Sequence, residues 1–416
     1  MVCCGHCRHA LARKGISLTG RPQGRGIPHI DLTDVQPASS ETARRINRDI
    51  VLEIIRENQP ISRAELARRS GLQRSTISQI VEQLIQEKWV REGAQASAAR
   101  GRRPTLLGLN QDLLVIAVDV HPRRATVATV DLNGRLLAQS RAAMTRDPQA
   151  SSQLIVQAMQ QLRSMIPDKS IEGIGVSLPG RIDPATERLI FAPNLHWPQF
   201  DLKGTIEAAM QLPVRMENAA TACLLAELMF GNLDGNRDVV LVTVAEGVGT
   251  GVFANGRMVS GHHGMAGEFG HIILDAAGPK CACGHTGCWE VFASTRAALR
   301  YYQELEPDAH TTTFAELLHL AESGASHAAQ AVEKQARYIG DGLRMIMAAL
   351  APGTILIAGD ITSAWHRYGP VIERVAGKYT LAGTVPRILP AHDGDLARLK
   401  GAAALVFQRR QPGSAR

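Results

Sequence analysis

The sequence predicts an α/β protein that begins with a winged helix-turn-helix and continues as two larger α/β halves. Between residues 41 and 86, apolar residues recur at helical spacing in three consecutive segments. After residue 113, short apolar strands alternate with helical segments, which is typical of α/β architecture. A chain of 416 residues is also too long for one ordinary domain. We therefore predict a disordered extension over residues 1–40, the winged helix-turn-helix over 41–110 and the α/β part over 111–416.

Basic residues are concentrated in the first quarter of the chain. Residues 1–110 hold 18 Lys and Arg against 10 Asp and Glu, whereas residues 111–416 hold 28 against 29. This asymmetry favours a polyanion as the partner of the N-terminal part, although a solvated basic surface would have the same composition. The seven cysteines are an odd number in a long chain, which suggests reduced thiols or a metal site. Because no run of 18 apolar residues occurs, we predict a cytoplasmic protein with no membrane partner.

The three helices of the N-terminal part are bounded by recognisable start and stop signals. The first helix begins near Glu41 and ends at the Asn-Gln-Pro segment 58–60. Ser62 and Glu65 have the spacing of a capping box, so a second, short helix begins there and ends at Gly71. A third helix follows almost at once. Two short helices joined by a tight turn that contains glycine are the helix-turn-helix pattern.

The polar face of the third helix is rich in side chains that can bond to base edges and phosphates. Its apolar side is formed by Ile77, Ile80, Val81, Leu84 and Ile85. The predicted DNA contacts on this helix and its neighbour are Arg63, Gln73, Arg74, Ser75, Thr76, Ser78 and Gln79.

A hairpin after the third helix would form the wing. Residues 89–92 and 106–109 read as its two strands, and the sequence GRRP occupies residues 101–104 near the tip. Arginines in a thin extended tip suit the narrow minor groove of A·T-rich DNA, so Arg102 and Arg103 complete the predicted double-stranded DNA interface. The alternative is that residues 41–110 form a small three-helix packing module without DNA.

The rest of the chain reads as two α/β units. The first has strands at 114–120 and 125–131, a hairpin turn at Asn133 and Gly134, a helix at 150–165 and a strand at 173–177. The second comprises a helix at 327–350, a strand at 355–358 and a last helix near 395–408. Two α/β halves usually leave a cleft between them in which a small ligand binds.

One imidazole and three thiols form the most specific local signal. His271, Cys281, Cys283 and Cys288 can close a tetrahedral shell around Zn²⁺, and a closed shell of four protein ligands is structural. His285 competes as a ligand, but it lies inside the short loop between the cysteines. Unrelated core cysteines are the alternative interpretation.

Five motifs make the sequence similar to the ROK family, named for repressors, open reading frames and kinases. In the family's order they are LPGRID at 178–183, EN at 217–218, GVGTG at 247–251, GEFGH at 267–271 and CACGHTGCWE at 281–290. The resemblance runs from about Glu41 to the C-terminus. The GRRP segment resembles the repressor branch of the family.

This resemblance implies an actin-like, sugar-kinase-type (ribonuclease H-like) fold of two lobes with a monosaccharide pocket between them. It also implies the sugar contacts, which are Gly180, Arg181, Asn218, Glu268, His271 and Glu290. Carboxylates and an amide can bond to pairs of adjacent sugar hydroxyls. Zinc would hold the loop that carries Glu290 and would orient His271 at the edge of the pocket.

The residues that a ROK kinase uses for phosphoryl transfer are incomplete. Ala219 stands where the family has the Asp that accepts the proton of the attacking hydroxyl, and losing such a base typically costs roughly 10²–10⁴-fold in rate. Residues 121–124, HPRR, replace a glycine-rich phosphate loop, and Gly359-Asp360 replaces a glycine pair. The glycine-rich segment Gly247–Gly251 survives. We therefore predict no enzyme activity.

The leading hypothesis is a repressor of carbohydrate uptake or catabolism genes. A sugar or sugar phosphate in the cleft would release a homodimer or homotetramer from a palindromic operator. One alternative is an ATP-dependent sugar kinase with an added DNA-binding part, which an ADP-release assay would reveal. Another is a regulator controlled by a protein partner, which would bind no sugar in calorimetry.

Overall fold

The computed structural model describes residues 40–95, 104–197, 199–231, 233, 235–311, 313–378, 385–392 and 394–408. The predicted extension 1–40 lies outside the described residues except for Ser40, which begins the first helix. The tip of the predicted wing, with Arg102 and Arg103, also lies outside them.

The winged helix-turn-helix has three helices and a small three-stranded sheet. The helices are α1 (Ser40–Asn58), α2 (Arg63–Ser70) and α3 (Arg74–Gln86). The strands are β1 (Ile61–Ser62), β2 (Val90–Gln95) and β3 (Thr105–Leu109), in the order β1-β3-β2. The predicted helices and hairpin are thereby confirmed.

Only half of the predicted capping box forms at the start of α2. The Ser62 hydroxyl accepts a hydrogen bond from the Glu65 amide at 3.2 Å, as expected. The Glu65 carboxylate instead forms ion pairs with Arg68 and Arg69. Gly71 ends the helix with φ of 71°, a left-handed conformation that favours glycine.

The first lobe is built on a mixed sheet in the order β10-β7-β4-β5-β6. Strands β4, β5 and β6 are antiparallel, whereas β7 and β10 run parallel to β4. The strands are β4 (Leu113–Val120), β5 (Arg124–Asp131), β6 (Leu136–Ala143), β7 (Ser170–Leu178) and β10 (Val214–Asn218), with a small hairpin of β8 (Arg181–Ile182) and β9 (Leu189–Phe191). The helices of this lobe are α4 (Pro148–Ser164) and α5 (Leu202–Met210).

The second lobe repeats this topology. Its sheet has the order β13-β12-β11-β14-β15, again with three antiparallel strands followed by two parallel ones. The strands are β11 (Val239–Val244), β12 (Val248–Ala254), β13 (Arg257–Met258), β14 (Thr354–Ala358) and β15 (Arg387–Pro390). The remaining helices are α6 (Ala219–Phe230), α7 (Glu290–Ala293), α8 (Thr295–Leu305), α9 (Phe314–Glu322), α10 (Ser326–Leu350), α11 (Trp365–Ala376) and α12 (Ala397–Phe407).

The last helix, α12, packs on the sheet of the first lobe, whereas the sequence pattern grouped it with the second unit. At Gly175 on β7, an added Cβ would lie 1.7 Å from the Ala402 carbonyl oxygen, so strand and helix backbones are in contact. An added Cβ at Gly401 would lie 2.0 Å from the Ala222 carbonyl oxygen on α6. Helix α6 contacts β11 and β12 as well. Helices α6 and α12 therefore lie between the two sheets and join the lobes.

The winged helix-turn-helix and the first lobe share one apolar core. Leu66 and Ile77 from the small domain belong to the same buried cluster as Val115 of β4 and Val406 of α12. Buried apolar area is the main source of stability. The two parts are therefore packed against each other over a continuous apolar surface, and the boundary at residues 110 and 111 stays a prediction.

Among the helices of the described residues, none combines the length and the hydropathy that crossing a bilayer requires.

The contact between β7 and α12 leaves no room for a side chain. We expect Gly175→Ala to lower the free energy of unfolding by about 1–3 kcal/mol, because the new methyl group overlaps the Ala402 carbonyl. Urea denaturation measures this change. Gly93→Ala is the matched control, since the nearest atom to its new Cβ lies 3.8 Å away. An unchanged midpoint for Gly175→Ala would contradict the packing described.

Candidate functional site

The predicted DNA contacts on α3 form an exposed polar surface. Gln73, Arg74, Ser75, Ser78 and Gln79 are exposed, and Thr76 is half-buried. The opposite side of the helix is buried through Ile77, Ile80, Val81 and Leu84. The amphipathic pattern therefore leaves the side chains that are predicted to contact DNA outside the core.

Arg63 is held by carboxylates of the same domain. Its guanidinium lies 2.6 Å from a carboxylate oxygen of Glu92 on β2 and 3.7 Å from one of Glu82 on α3. A DNA contact by Arg63 would have to exchange these ion pairs for phosphates. The role of Arg63 in DNA binding stays a prediction.

Three of the predicted sugar contacts lie at the carboxyl ends of strands in the first lobe. Asn218 ends β10 and caps α6, because its Oδ1 accepts a hydrogen bond from the Ala220 amide at 2.8 Å. The Asn218 Nδ2 donates to the Gly180 carbonyl at 2.6 Å. Gly180 has φ of 127°, and an added Cβ would lie 2.5 Å from the Phe191 carbonyl oxygen. Arg181 begins β8, and its buried Nε has no hydrogen-bond partner among the described residues.

The other three lie in the second lobe and are linked through the Cys281 sulfur and His271. Its Nε2 lies 3.8 Å from a carboxylate oxygen of Glu268, and its Nδ1 lies 3.6 Å from the Cys281 Sγ. Glu290 is buried, and its Oε2 accepts a hydrogen bond from the Val248 amide at 3.1 Å. The Cys281 thiol is 3.6 Å from the Oε1 of Glu290. One side of His271 thus faces the sulfur cluster and the other faces Glu268.

The fold brings the four predicted metal ligands together. The ligand atoms of His271, Cys281, Cys283 and Cys288 all lie within 4.8 Å of one another. The Cys283 and Cys288 sulfurs are 3.6 Å apart, close to the separation of about 3.7 Å that two thiolates have in a tetrahedral zinc site with Zn–S of about 2.3 Å. This His and Cys₃ cluster has the composition and the spacing to bind a metal ion. His285 Nδ1 is 3.5 Å from the Cys283 Sγ but does not belong to the group of four.

Burial and hydrogen bonding shift the pKa values of the three thiols in different directions. Burial by itself would raise the pKa of Cys283, but hydrogen bonds from His285, Cys281 and Cys288 lower it to about 6. Burial raises the pKa of Cys281 and of Cys288. Because metals bind cysteine as thiolate, a bound metal ion would displace protons from the thiols whose pKa is raised.

Contacts that the sequence analysis did not predict connect the two lobes beside Glu290. Arg296 on α8 donates to the Asn194 Oδ1 of the first lobe at 3.2 Å and to the Glu246 carbonyl at 2.5 Å. Its guanidinium also lies 3.7 Å from the Glu290 Oε1. An added Cβ at Gly247 would lie 2.3 Å from the Glu290 Oε2, so the glycine allows the carboxylate to approach. No local sequence signal marks Asn194 or Arg296, because they are 102 residues apart.

Charged and polar side chains meet at the end of β4, where residues 121–124 replace the glycine-rich phosphate loop expected of a kinase. The buried Asp119 accepts a hydrogen bond from His121 Nε2 at 2.7 Å, and Arg398 Nη1 lies 3.1 and 3.2 Å from the two ring nitrogens of His121. Carboxylates of Glu246 and Asp360 in the second lobe also interact with the Arg398 charge. The charge of Arg398 therefore interacts with acidic groups of both lobes. The sequence did not predict the contact of Arg398 with His121, because the two residues are 277 positions apart and no local pattern connects them.

The glycine-rich segment Gly247–Gly251 comprises the last residue of the turn between β11 and β12 and the start of β12, which packs against α6. An added Cβ at Gly251 would lie 2.8 Å from the Ala220 carbonyl oxygen, and one at Gly249 would lie 2.9 Å from the Thr243 Oγ1. Close packing thus accounts for these glycines in this chain.

Comparison with known proteins matches two parts of the chain to two families. The profile of the ROK family matches residues 115–409, and that of the MarR family matches residues 50–103. The xylose repressor of Bacillus subtilis is 30% identical over 379 residues, which cover 89% of this chain and 97% of that protein. The chain therefore belongs to the ROK family, and it combines the family's sugar-kinase-like fold with a MarR-like winged helix.

Two solved structures support this assignment of the fold. A ROK family transcriptional regulator, a homolog of the E. coli MLC protein, superposes with a TM-score of 0.74 at 24% identity, covering 88% of this chain and 96% of that chain. A ROK family glucokinase from Streptomyces griseus, crystallised with glucose and AMPPNP, superposes with a TM-score of 0.65 at 27% identity, covering 71% of this chain and 99% of the glucokinase.

The cap of α6 provides a test of the described site. We expect Asn218→Ala to lower the free energy of unfolding by about 1–2 kcal/mol, because it removes the cap and the bond to Gly180. Asn218→Ser keeps a capping oxygen and should recover part of this loss. Urea denaturation of both variants measures the difference. Equal stability of Asn218→Ala and the wild type would contradict the assigned hydrogen bonds.

Proposed function

We propose that this protein is a sugar-responsive DNA-binding transcriptional repressor. The observation that carries the proposal is the fusion of a MarR-like winged helix to a ROK fold in one chain, aligned over 89% of its length with a xylose repressor. The shared apolar core between the winged helix and the first lobe supports it, since packed contacts of this kind can carry a change in one part to the other.

In this proposal α3 enters the major groove of a double-stranded operator. The exposed polar surface of the helix reads base edges through Gln73, Arg74, Ser75, Thr76, Ser78 and Gln79. Gln73 begins the helix without a side-chain cap, so the first amides are left for a phosphate. Arg63 contacts the backbone, and Arg102 and Arg103 enter the minor groove from the wing. The net positive charge of residues 1–110 supplies nonspecific attraction.

The effector is a monosaccharide or its phosphate, bound between the lobes. The proposed contacts are Gly180, Arg181, Asn218, Glu268, His271 and Glu290. Glu290 is buried, and the Arg296 guanidinium beside it compensates its charge. Because effector release of DNA requires different affinities in two arrangements, the sugar must favour the arrangement that binds the operator weakly. A homodimer would place two copies of α3 on the half-sites of a palindrome.

Phosphoryl transfer is not part of the proposed function. Ala219 is the first residue of α6 and is buried, and it supplies no carboxylate to accept a proton. His121 and Arg398 occupy the end of β4, which leaves less room for a nucleotide there. An ADP-release assay with glucose and xylose distinguishes a repressor from a kinase with an added DNA-binding part. Turnover above background that Glu268→Ala abolishes would favour the kinase.

We further propose that the ion held by His271, Cys281, Cys283 and Cys288 is structural Zn²⁺. Zinc accepts one imidazole and three thiolates in tetrahedral geometry, and the spacing of the four ligand atoms fits it. The ion would fix the loop before α7 and thereby the carboxylate of Glu290, which contacts Cys281.

Metal analysis tests this second proposal. We expect one zinc ion per chain in the wild type and about none in Cys288→Ser, with a lower Tm, because structural zinc binding is coupled to folding. Cys223→Ala is the control, since Cys223 is buried far from the cluster in sequence and contributes no ligand atom to it. Retained zinc in Cys288→Ser, or an equal Tm after zinc removal, would refute a structural zinc site.

Fluorescence anisotropy with operator fragments tests the main proposal. We expect Arg74→Ala to weaken specific binding by about 1–3 kcal/mol, because a base contact is lost. Arg102→Ala and Arg103→Ala should weaken binding to A·T-rich sites. Each should also reduce the slope of the logarithm of the binding constant against the logarithm of the salt concentration by about one unit. Arg337→Ala, an exposed arginine of α10 in the second lobe, is the control with the same change of charge.

The same assay identifies the effector class. D-xylose, D-glucose, N-acetylglucosamine and their phosphates are titrated into the complex with DNA. Release by at least one of them is the expected result. The absence of any DNA binding at low salt would contradict the proposed function.

A further inference from the structure

We infer that helices α6 and α12 act as one unit that transmits effector binding to the DNA-binding domain, through an aromatic contact of Phe230, Phe407 and Trp89. The inference rests on the proposed function and concerns how that function is regulated. Both helices begin at the cleft and both end against the winged helix.

The cleft ends of the two helices carry residues of the proposed effector site and its surroundings. Helix α6 is capped by Asn218, which also bonds to the Gly180 carbonyl at 2.6 Å. Arg398 is the second residue of α12 and contacts His121 of the first lobe, while its charge interacts with Glu246 and Asp360 of the second lobe. These bonds lie within the first lobe, but Ala220 at the start of α6 also packs against Gly251 of the second lobe. A change in the angle between the lobes therefore displaces second-lobe groups that act on both helix starts.

Along their length the two helices are packed without intervening space. Gly401 on α12 meets the Ala222 carbonyl of α6, where an added Cβ would lie 2.0 Å away. The helices have 12 and 11 residues, so each spans about 17 Å at about 1.5 Å per residue. Closely packed helices move as rigid bodies, because a dense core does not deform continuously.

At the other end, three aromatic rings meet edge to face. Phe230 ends α6 and lies 6.4 Å from Phe407, the last residue of α12, at an interplanar angle of 85°. Phe407 in turn lies 6.1 Å from Trp89 at 75°. These distances and angles are those of favourable aromatic pairs. Phe407 and Trp89 are buried, so this contact is part of the core.

Trp89 connects the rings to the recognition helix. It follows α3 by three residues, and its amide donates to the Leu84 carbonyl on the last turns of α3 at 2.9 Å. The Arg48 guanidinium of α1 lies 5.7 Å above its ring and also pairs with Glu87. The Arg56 guanidinium of α1 lies 6.0 Å above the Phe230 ring. A shift of Phe230 or Phe407 would therefore displace groups that contact both α1 and α3.

Other contacts between the winged helix and the first lobe do not start from the cleft. Gln59 donates to Asn133 on the β5–β6 turn at 2.7 Å, and Arg91 forms an ion pair with Asp112 before β4. These contacts can hold the domains together without sensing the angle between the lobes. They therefore offer a matched control for the aromatic contact.

The test compares Phe407→Leu and Phe230→Leu with Asp112→Asn. The sugar used is the one that releases the wild type from DNA among D-xylose, D-glucose, N-acetylglucosamine and their phosphates. For each variant, calorimetry gives the affinity for this sugar. Fluorescence anisotropy gives the affinity for an operator duplex selected in vitro, without and with saturating sugar. The ratio of the two DNA affinities is the coupling, which is typically about 5–150-fold in allosteric proteins.

Both Leu variants should bind sugar and free operator within about twofold of the wild type, while the coupling ratio falls toward one. Asp112→Asn should keep the wild-type ratio. A coupling ratio equal to that of the wild type in both Leu variants overturns the inference. So does a fall of the coupling ratio in Asp112→Asn that equals the fall in the Leu variants. Thermal melting checks that each variant is folded. If Phe407→Leu, whose side chain is more deeply buried, does not fold, Phe230→Leu alone tests the inference. If no sugar releases the wild type, the proposed function fails and the inference falls with it, which distinguishes the two failures.

Discussion

Close backbone contact among β7, α12 and α6 is the constraint on which the architecture depends. Gly175 and Gly401 lack the Cβ atoms that would overlap carbonyl groups of Ala402 and Ala222, so the last helix can lie directly on the first sheet and against α6. The other side of α6 lies on β11 and β12, where Gly251 allows the same close approach to Ala220. Packing at this density transmits displacement, since the contacts leave no voids that could absorb it.

Electrostatics complements this packing inside the cleft. The buried Asp119 would be costly without a compensating charge, and the Arg398 guanidinium provides one, while His121 forms a hydrogen bond to the carboxylate. The buried Glu290 is compensated in the same way by the Val248 amide and the Arg296 guanidinium. Each arginine also interacts with the other lobe, since Arg296 donates to Asn194 and the charge of Arg398 interacts with Glu246 and Asp360.

Kinases and regulators of the ROK family share a fold, and function is decided by particular residues of the site. In this chain, Ala219 leaves the start of α6 without a carboxylate, while the neighbouring Asn218 retains both its cap and its bond to Gly180. The proposed effector site thus has groups that can bind a polar ligand, and Ala219 supplies no carboxylate beside them, as the proposed sensing role requires.

The sequence by itself determined the features that depend on neighbouring residues. Helical periodicity and the signals at Ser62 and Gly71 defined the helix-turn-helix, and apolar runs located β4, β5, β7 and β14. The spacing of Cys281, Cys283 and Cys288 was sufficient to predict a sulfur cluster. His271 lies close enough in sequence to be grouped with them.

Only the tertiary structure decided which distant groups meet. It placed α12 on the first sheet, joined the winged helix to the first lobe through Phe407, and engaged Arg63 with Glu92. It also brought Arg398 to His121 and Arg296 to Asn194 across 277 and 102 residues. A periodic pattern shows that a helix has a buried face, but it carries no information on which sheet covers that face, because any apolar surface satisfies the hydrophobic effect.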